Sequence, residues 1–184
     1  MVAEQAVASC PPRLEAGQAV GVAHAASPVG EVEVILEVHH LIMSTNMTRE
    51  EWRAFLLHGT RTGKLATVRK DGRPHVVPVW FVMDGDDLVF TTGATSVKAR
   101  AMRRDPRVSL CVDSEDPPYA FVTVEGVAAL SDDVGEMLPY ATAVGARYMG
   151  ADRAEEFGRR NAVPGELLAR ITPTRVLAED DITG

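Results

Sequence analysis

The segment GKLATVRKDGRPHVVPVWF, residues 63–81, decides the fold because it contains two strands and the turn between them. Residues 64–69 alternate with a period of two, which is typical of a β-strand. The Asp71-Gly72 pair that follows is a strong signal for a tight hairpin turn. The second strand, PHVVPVWFVM at residues 74–83, is apolar on both faces, so other parts of the structure must pack against both of its sides. The segment therefore predicts an antiparallel hairpin inside a layered structure.

Further strand patterns lie downstream of this hairpin. They are LVFTT, RVSLCVD, YAFVTVEGVAAL and ELLARITPTRVLA, at residues 88–92, 107–113, 119–130 and 166–178. Gly126 inside the third of these predicts a bulge or a sharp bend. Helical patterns with capping residues at their starts lie between the strands, at residues 48–56, 97–104, about 132–149 and about 151–161.

The count of strands and their connections predict the architecture. About six strands, mostly connected as hairpins, favour a mainly β (α+β) fold in which a six-stranded antiparallel barrel carries a few short helices. A barrel of this size is filled by its own side chains. A ligand is therefore expected on the outside of the barrel or at a subunit interface.

Composition narrows the class of protein. The chain has 184 residues, a net charge of −7, 46% apolar and 24% charged residues, which indicates a globular domain and disfavours a general nucleic-acid binder. Apolar runs are all far shorter than the ~20 residues that span a bilayer. The two cysteines, Cys10 and Cys111, have no metal-ligand spacing and make no disulfide framework, so a cytoplasmic location is expected.

Residues 1–42 differ from the remainder of the chain. They are rich in Ala, Val and Gly, have no convincing period, and lack the basic start of a signal peptide. Only EVEVILEV, residues 31–38, alternates like a strand that could add to a sheet edge. We expect a poorly ordered, dispensable N-terminal extension at 1–42 and a cofactor-binding barrel domain at 43–184.

The segment TTGATSVKARAMRRDP, residues 91–106, indicates an anion site. Ser96 is a good helix N-cap, which places Lys98 in the first turn, where the helix dipole repels a cation. An anion at this helix terminus would remove the penalty, held by backbone amides, hydroxyls and Lys98. The alternatives are a lysine that extends its ammonium to water, and a solvated face for the nearby arginines.

Pro78 is a second indication of a ligand. A proline within a strand removes one donor from the hydrogen-bond ladder. Pairing is then expected to break locally and to leave the backbone polar groups of Val77 and Val79 free for a ligand. The alternative is a simple proline on an edge strand.

Sequence motifs for catalysis and metal binding are missing. The chain has no recognisable nucleophile triad, zinc-protease motif or phosphate-binding loop. His75 is the only histidine in a predicted strand, and a lone strand histidine is more often structural than catalytic. We therefore expect no catalytic side chain and no metal ligand, so that any chemistry requires a cofactor.

Three segments together carry a resemblance to a known family: GKLATVRKDGRPHVVPVWF, LVFTTGATSVKARAMRRDPRVSLCVD and FVTVEGVAAL, in that order and spacing. Over residues of about 47–180 the chain resembles the flavin/deazaflavin-dependent oxidoreductases of the pyridoxamine-phosphate-oxidase-like split β-barrel superfamily (PPOX class). The subgroup that it resembles most is the type B group of actinobacterial enzymes that use coenzyme F420.

The resemblance implies a split β-barrel homodimer with two cofactor sites at the interface. It implies that the strand around residues 76–79 lies against the ring system, that residues 91–98 hold the phosphate-bearing tail, and that one tyrosine approaches from the partner subunit. The arginines of 97–104 would meet the anionic tail. The cofactor-binding residues implied are Val76, Val77, Pro78, Val79, Thr91, Thr92, Ser96, Val97, Lys98 and Tyr119.

Three functions remain open on the sequence. The first is an F420-dependent oxidoreductase that transfers a hydride between the 8-hydroxy-5-deazaflavin and a small conjugated or aromatic acceptor. The second is an FMN-dependent enzyme of the pyridoxamine-phosphate-oxidase type. The third is a non-catalytic dimer that stores or carries a cofactor or binds a tetrapyrrole-like ligand. In the first two functions the protein orients two rings and excludes water.

Overall fold

The computed structural model describes residues 47–183, which form a seven-stranded sheet with helices around it. The elements in chain order are α1 (Arg49–Leu57), β1 (Gly63–Val68), β2 (Pro74–Val79), β3 (Val82–Asp84), β4 (Asp87–Gly93), α2 (Val97–Arg104), β5 (Arg107–Asp113), β6 (Phe121–Ser131), α3 (Val134–Met149), a 3-10 helix (Ala151–Arg153), α4 (Ala154–Asn161) and β7 (Glu166–Glu179). The predicted boundary between residues 1–42 and 43–184 lies outside the described residues, as does the strand pattern at 31–38.

The predicted hairpin is confirmed. β1 and β2 pair antiparallel, and the turn between them contains Gly72 at φ 82, a conformation that favours glycine. The Gly72 amide donates to the carbonyl of Arg69 at 3.0 Å, and the Arg69 amide donates to the carbonyl of Arg73 at 2.9 Å. Local turn chemistry therefore sets the register of the two strands.

The strand order is β2-β1-β5-β6-β7-β4-β3, and every pair in it is antiparallel. In a flat sheet the two outermost strands would lie roughly 29 Å apart, since neighbouring strands are about 4.8 Å apart. Yet β2 ends at Val79 and β3 begins at Val82, and three residues of chain span at most about 11 Å. The sheet must therefore curl until its two edges approach each other, which gives an incompletely closed barrel.

The interior of this barrel is filled by its own side chains, as predicted. Large residues from the strands and from the link between β2 and β3 are fully buried there, among them Leu65, Phe81, Phe90, Leu110 and Ile171. A second cluster lies between the sheet and the helices, where Val89 and Leu168 contact Met137, Ala141 and Ala162. A ligand of any size must therefore bind outside the barrel lumen.

Helix α1 covers one opening of the barrel. Its predicted capping box is present, because the Thr48 amide donates to the Glu51 carboxylate at 2.7 Å and the Glu51 amide donates to the Thr48 hydroxyl. Trp52 and Leu56, one helical turn apart, are buried against the core. The amphipathic pattern of the sequence thus fixes which face of the helix packs inward.

Two details refine the predicted architecture. Seven strands are present instead of six, because the predicted strand over 74–83 breaks at Trp80–Phe81 into β2 and β3. The predicted bulge at Gly126 is confirmed by a register shift between Glu125 and Gly126 against β7.

Among the helices of residues 47–183, none combines the length and apolarity needed to span a lipid bilayer.

Candidate functional site

A cleft of about 400 Å³ lies where the two edges of the curled sheet approach each other. We call it the seam cleft. Five of the predicted cofactor-binding residues line it: Pro78, Val79, Thr91, Thr92 and Lys98. Its other lining residues are Trp80, Gly93, Val144, Asn161 and Glu166. The end of β2 forms one wall, and the end of β4 with the start of β7 forms the other.

The β4 wall is positioned by sheet pairing. Thr91, Thr92 and Gly93 pair with Leu168, Leu167 and Glu166 of β7, so the ends of both strands reach the cleft together. β3 pairs only with residues 87–89 of β4. Within the described chain, residues 90–93 therefore have a neighbouring strand on one side only, and the other side is open toward the cleft.

Ser96 connects this wall to helix α2. Its hydroxyl accepts a hydrogen bond from the Ala99 amide at 3.1 Å, which is the N-cap interaction predicted from the sequence. The same hydroxyl lies 3.1 Å from the hydroxyl of Thr92, which is 4% exposed. Ser96 does not line the seam cleft itself, so its role is to cap α2 and to orient Thr92.

Lys98 stands in the first turn of α2 and is half-buried. No acidic residue occupies that turn, and among residues 47–183 Lys98 has no hydrogen-bond or ion-pair partner. A cation at a helix N-terminus is unfavourable unless an anion lies nearby. The donor set of Lys98, Thr91 and Thr92 therefore fits the phosphate of a cofactor.

The β2 wall is apolar. Val79 is buried at 6% exposure, Pro78 is exposed on the opposite face of the strand, and Val144 of α3 adds a further aliphatic side chain. The predicted break in pairing at Pro78 is wrong, because the ladder with β1 continues through the Lys64–Pro78 pair. β2 is an edge strand, where a proline can turn its missing donor toward the unpaired side.

Four predicted site residues lie elsewhere than in the seam cleft of this chain, besides Ser96. Val76 is 58% exposed on the outer side of β2, and Val77 packs against the barrel core. Val97 lines a different cleft, described below. Tyr119, 41% exposed, precedes β6, and its carbonyl accepts from the Ile182 amide at 2.9 Å.

The arginines of α2 make hydrogen bonds to backbone rather than lying free in solvent. Arg103 donates to the Ala94 carbonyl at 2.7 Å, Arg100 to the Thr95 carbonyl, and Arg104 to the Val68 carbonyl. Arg100, Arg104, Arg69 and Lys70 also line a cleft of about 690 Å³, which we call the arginine cleft. The buried Nε of Arg69 has no hydrogen-bond partner there among the described residues.

Sequence reasoning missed the aromatic pair beside the seam cleft. Trp80 stacks on Tyr148 with ring centroids 4.9 Å apart and an interplanar angle of 2°. The Tyr148 hydroxyl donates to the Arg61 carbonyl at 2.8 Å and accepts from the Phe81 amide at 3.3 Å. Burial raises the pKa of Tyr148, so the phenol stays protonated and keeps both bonds at neutral pH.

Arg147 fixes the same corner of the structure. Its guanidinium donates to the carbonyls of Leu56 at 2.6 Å, Phe81 at 2.8 Å and Gly59 at 3.1 Å. Burial lowers the pKa of Arg147, yet an arginine with lowered pKa remains charged at neutral pH. The end of α3 thus joins α1 to the Trp80–Phe81 segment. Only the spacing of RYM on a predicted helix could have suggested this, since the contacts span more than sixty residues of chain.

Comparison with known proteins agrees with this geometry. The family model for pyridoxamine 5'-phosphate oxidase matches residues 48–179. The conserved hypothetical protein Rv2991 from Mycobacterium tuberculosis is similar at 28% identity and a TM-score of 0.67, over 74% of this chain and 87% of that one. An F420 reductase is similar at 29% identity and a TM-score of 0.53, over 67% of this chain and 94% of that one.

A third solved structure shows how widely the fold is shared. The heme storage protein HutZ from Vibrio cholerae is 20% identical with a TM-score of 0.58, over 73% of this chain and 97% of that one. At this identity the likeness concerns the fold alone. The family match over most of the chain, together with the seven-stranded curled sheet, assigns the chain to the pyridoxamine 5'-phosphate oxidase family.

Proposed function

We propose that the chain is an oxidoreductase that holds coenzyme F420 in the seam cleft and transfers a hydride between the reduced deazaflavin and a small conjugated or aromatic acceptor. The observation that carries this proposal is Lys98, a cation in the first turn of α2 that has no partner among residues 47–183. The likeness to an F420 reductase supports a deazaflavin in preference to FMN.

The chain's own residues would hold the phosphate-bearing tail. The Lys98 ammonium neutralises phosphate charge, and charge-assisted hydrogen bonds of this kind are roughly twice as strong as neutral ones. The hydroxyls of Thr91 and Thr92 donate from the β4 wall, and the amides at the start of α2 add partial positive charge. The arginine cleft beside the same helix is suited to an anionic polyglutamate tail.

The apolar wall would hold the ring system. Pro78, Val79 and Val144 present aliphatic surface, which excludes water from the face of a planar heterocycle. A bound reduced deazaflavin supplies the hydride. His75 is not placed to supply the acceptor's proton, because it lies outside the seam cleft with its Nδ1 3.1 Å from the Arg69 guanidinium. The protein's contribution is to orient two rings and to exclude water.

FMN is the second candidate, because the matching family model is that of pyridoxamine 5'-phosphate oxidase. A phosphate and a planar ring are common to both cofactors, so the donor set of the seam cleft is compatible with either. The non-catalytic alternative differs in that a ligand binds without turnover.

A homodimer belongs to the same proposal. The outer face of β2, β1, β5 and β6 carries exposed apolar side chains, among them Val68, Val76 and Val127. A groove of about 500 Å³ runs over this face between β1 and β6. A second copy packed here would bury these side chains, and the family resemblance implies that its Tyr119 would approach the first copy's cofactor.

The decisive experiment is a titration of the full chain with F420 and, separately, with FMN. We expect deazaflavin fluorescence to be quenched with saturation, and FMN to bind at least about tenfold more weakly. Reduced F420 should then be oxidised by aromatic acceptors in a stopped-flow assay. Tight FMN binding with a yellow purified protein would favour the second candidate. Saturable binding without turnover across a broad acceptor panel would favour a carrier.

A further inference from the structure

We propose that Trp80 is the stacking platform for the hydride acceptor, and that it selects flat aromatic rings. The inference rests on the proposed function and adds the substrate class. Trp80 lines the seam cleft directly after Pro78 and Val79, and it is 41% exposed although the residues on either side of it, Val79 and Phe81, are buried at 6% and 0%.

The exposure of Trp80 needs a physical reason. An indole is the largest apolar side chain, and leaving it in water forfeits the hydrophobic stabilisation that its burial would give. Trp80 lies between β2 and β3, where it belongs to neither strand. A ligand ring against the indole would recover this burial, whereas the barrel core is already filled by Phe81 and its neighbours.

One face of the indole is already occupied and fixed. Tyr148 stacks on it in parallel, and the phenol is held by hydrogen bonds to Arg61 and Phe81. In the described part of the chain no second ring stacks on Trp80. The arrangement is a rigid two-ring support with one face left for a third ring, and such preorganisation reduces the entropic cost of binding.

The polar residues of the seam cleft restrict the acceptor further. Asn161 offers an amide that both donates and accepts, and the Glu166 carboxylate only accepts when ionised. Among residues 47–183 the Glu166 side chain has no ion-pair partner. The Asn161 amide can donate to a carbonyl of the acceptor, whereas the Glu166 carboxylate disfavours negative charge beside it, so the cleft favours a neutral or cationic planar ring as the acceptor.

The test compares two acceptors with the Trp80→Leu variant of the full chain. The probes are 1,4-naphthoquinone, which is planar and aromatic, and 2-cyclohexen-1-one, which is a non-aromatic enone. We expect the KM for the naphthoquinone to rise about three- to tenfold, the range of an aromatic pair, while the KM for the enone changes less than about twofold. The Kd for F420 should change less than about twofold as well.

Two outcomes of the kinetic test would overturn the proposal. Equal changes in KM for both acceptors would show that Trp80 does not select rings. A large rise in the Kd for F420 would assign Trp80 to the cofactor instead. Because Trp80→Leu also removes the contact with Tyr148, the conservative Trp80→Phe variant keeps a ring there and is expected to show an intermediate KM for the naphthoquinone.

A second measurement does not depend on turnover. The chain has two tryptophans, and Trp52 is buried at 7% exposure, so a Trp52→Phe variant leaves Trp80 as the sole tryptophan, whose emission is excited selectively at wavelengths that tyrosine does not absorb. Adding 1,4-naphthoquinone should quench this emission with saturation, and 2-cyclohexen-1-one should not. If neither F420 nor FMN binds, the proposed function fails, but the quenching of Trp80 emission still shows whether an aromatic ring binds at Trp80. Quenching that rises linearly with 1,4-naphthoquinone and does not saturate would overturn the proposal that Trp80 is a stacking platform.

Discussion

Lys98 is the side chain whose position most requires a ligand. Helix α2 places it in a first turn that holds no acidic residue, beside a cleft lined by Thr91, Thr92 and, from β7, Glu166. Among the described residues Glu166 makes no ion pair with Lys98, so the helix-dipole penalty that the sequence indicated remains, and the half-burial of Lys98 adds to it. A phosphate would remove them together, which a solvated lysine would not.

Replacing Lys98 by alanine tests this interpretation. We expect the Kd for the cofactor to rise about 10- to 150-fold, the range for losing a hydrogen bond to a charged group. The melting temperature of the cofactor-free protein should be unchanged or slightly higher, because Lys98 makes no bond within the described chain and the helix dipole disfavours its charge.

Arg159→Ala is the matched control for Lys98→Ala. It removes one positive charge from an exposed site on α4, where the side chain pairs only with Glu155. Its Kd should equal that of the unaltered protein. A Kd for Lys98→Ala that equals the control's would remove Lys98 from the cofactor site.

Five of the ten predicted site residues line the seam cleft, and the reason is local. Strand ends, capping residues and family motifs can each be recognised within a few residues of sequence. These signals predicted Pro78, Val79, Thr91, Thr92 and Lys98. Asn161, Glu166 and Val144 come from α4, β7 and α3, more than forty residues further along the chain. No short pattern marks them, since tertiary packing alone brings them to the cleft.

At the scale of elements, Gly126 of strand β6 lies at an irregularity in the pairing of β6 with β7. The register with β7 shifts between Glu125, which pairs with Arg175, and Gly126, which pairs with Pro173, so Thr174 is an extra residue on β7 opposite this point of β6. A Cβ added at Gly126 would lie 2.6 Å from the Thr172 carbonyl oxygen and 2.6 Å from the Ile171 Cγ2. The contact with backbone cannot be relieved by rotating a side chain.

Gly126→Ala should therefore destabilise the protein. We expect the free energy of unfolding to fall by about 1–3 kcal/mol, the usual cost of overpacking, as measured by urea denaturation. Gly93→Ala is the matched control, because its Cβ would meet only the Glu166 carboxylate at 3.5 Å. Equal stabilities of the two variants would show that β6 and β7 separate at this point at little cost.

Most elements could be read from the sequence, and the exception is instructive. The sequence analysis predicted a single strand over 74–83 because both of its faces are apolar. A hydrophobic pattern without alternation gives no sign of where such a strand is interrupted. The break at Trp80–Phe81 is imposed by the distant end of α3, where Arg147 and Tyr148 bind the backbone of Phe81.

At the scale of the whole molecule, the exposed valines among the charged side chains on the outer face of β2, β1, β5 and β6 predict association. Val68 and Val127 are 45% and 43% exposed on it. The double variant Val68→Asp/Val127→Asp should be monomeric in sedimentation, because paired carboxylates would be desolvated between two copies. Its cofactor affinity should fall too, since each site is proposed to need the partner.

The control for the outer face is Leu138→Asp on α3, an equally exposed apolar residue at 41% on another surface. This variant should sediment as the unaltered protein does, which we expect to be a dimer. If the outer-face variant also sediments as a dimer, the two copies associate through another surface.

The two-residue span Trp80–Phe81 has a further consequence for the sheet. Edge strands normally fray first, each independently of the other, because they are anchored on one side only. Here the two edge strands β2 and β3 follow each other in sequence, and the residues between them are clamped by the end of α3. We therefore expect that β2 and β3 do not separate from the sheet independently. Both edges of the barrel should open together, in a single cooperative step.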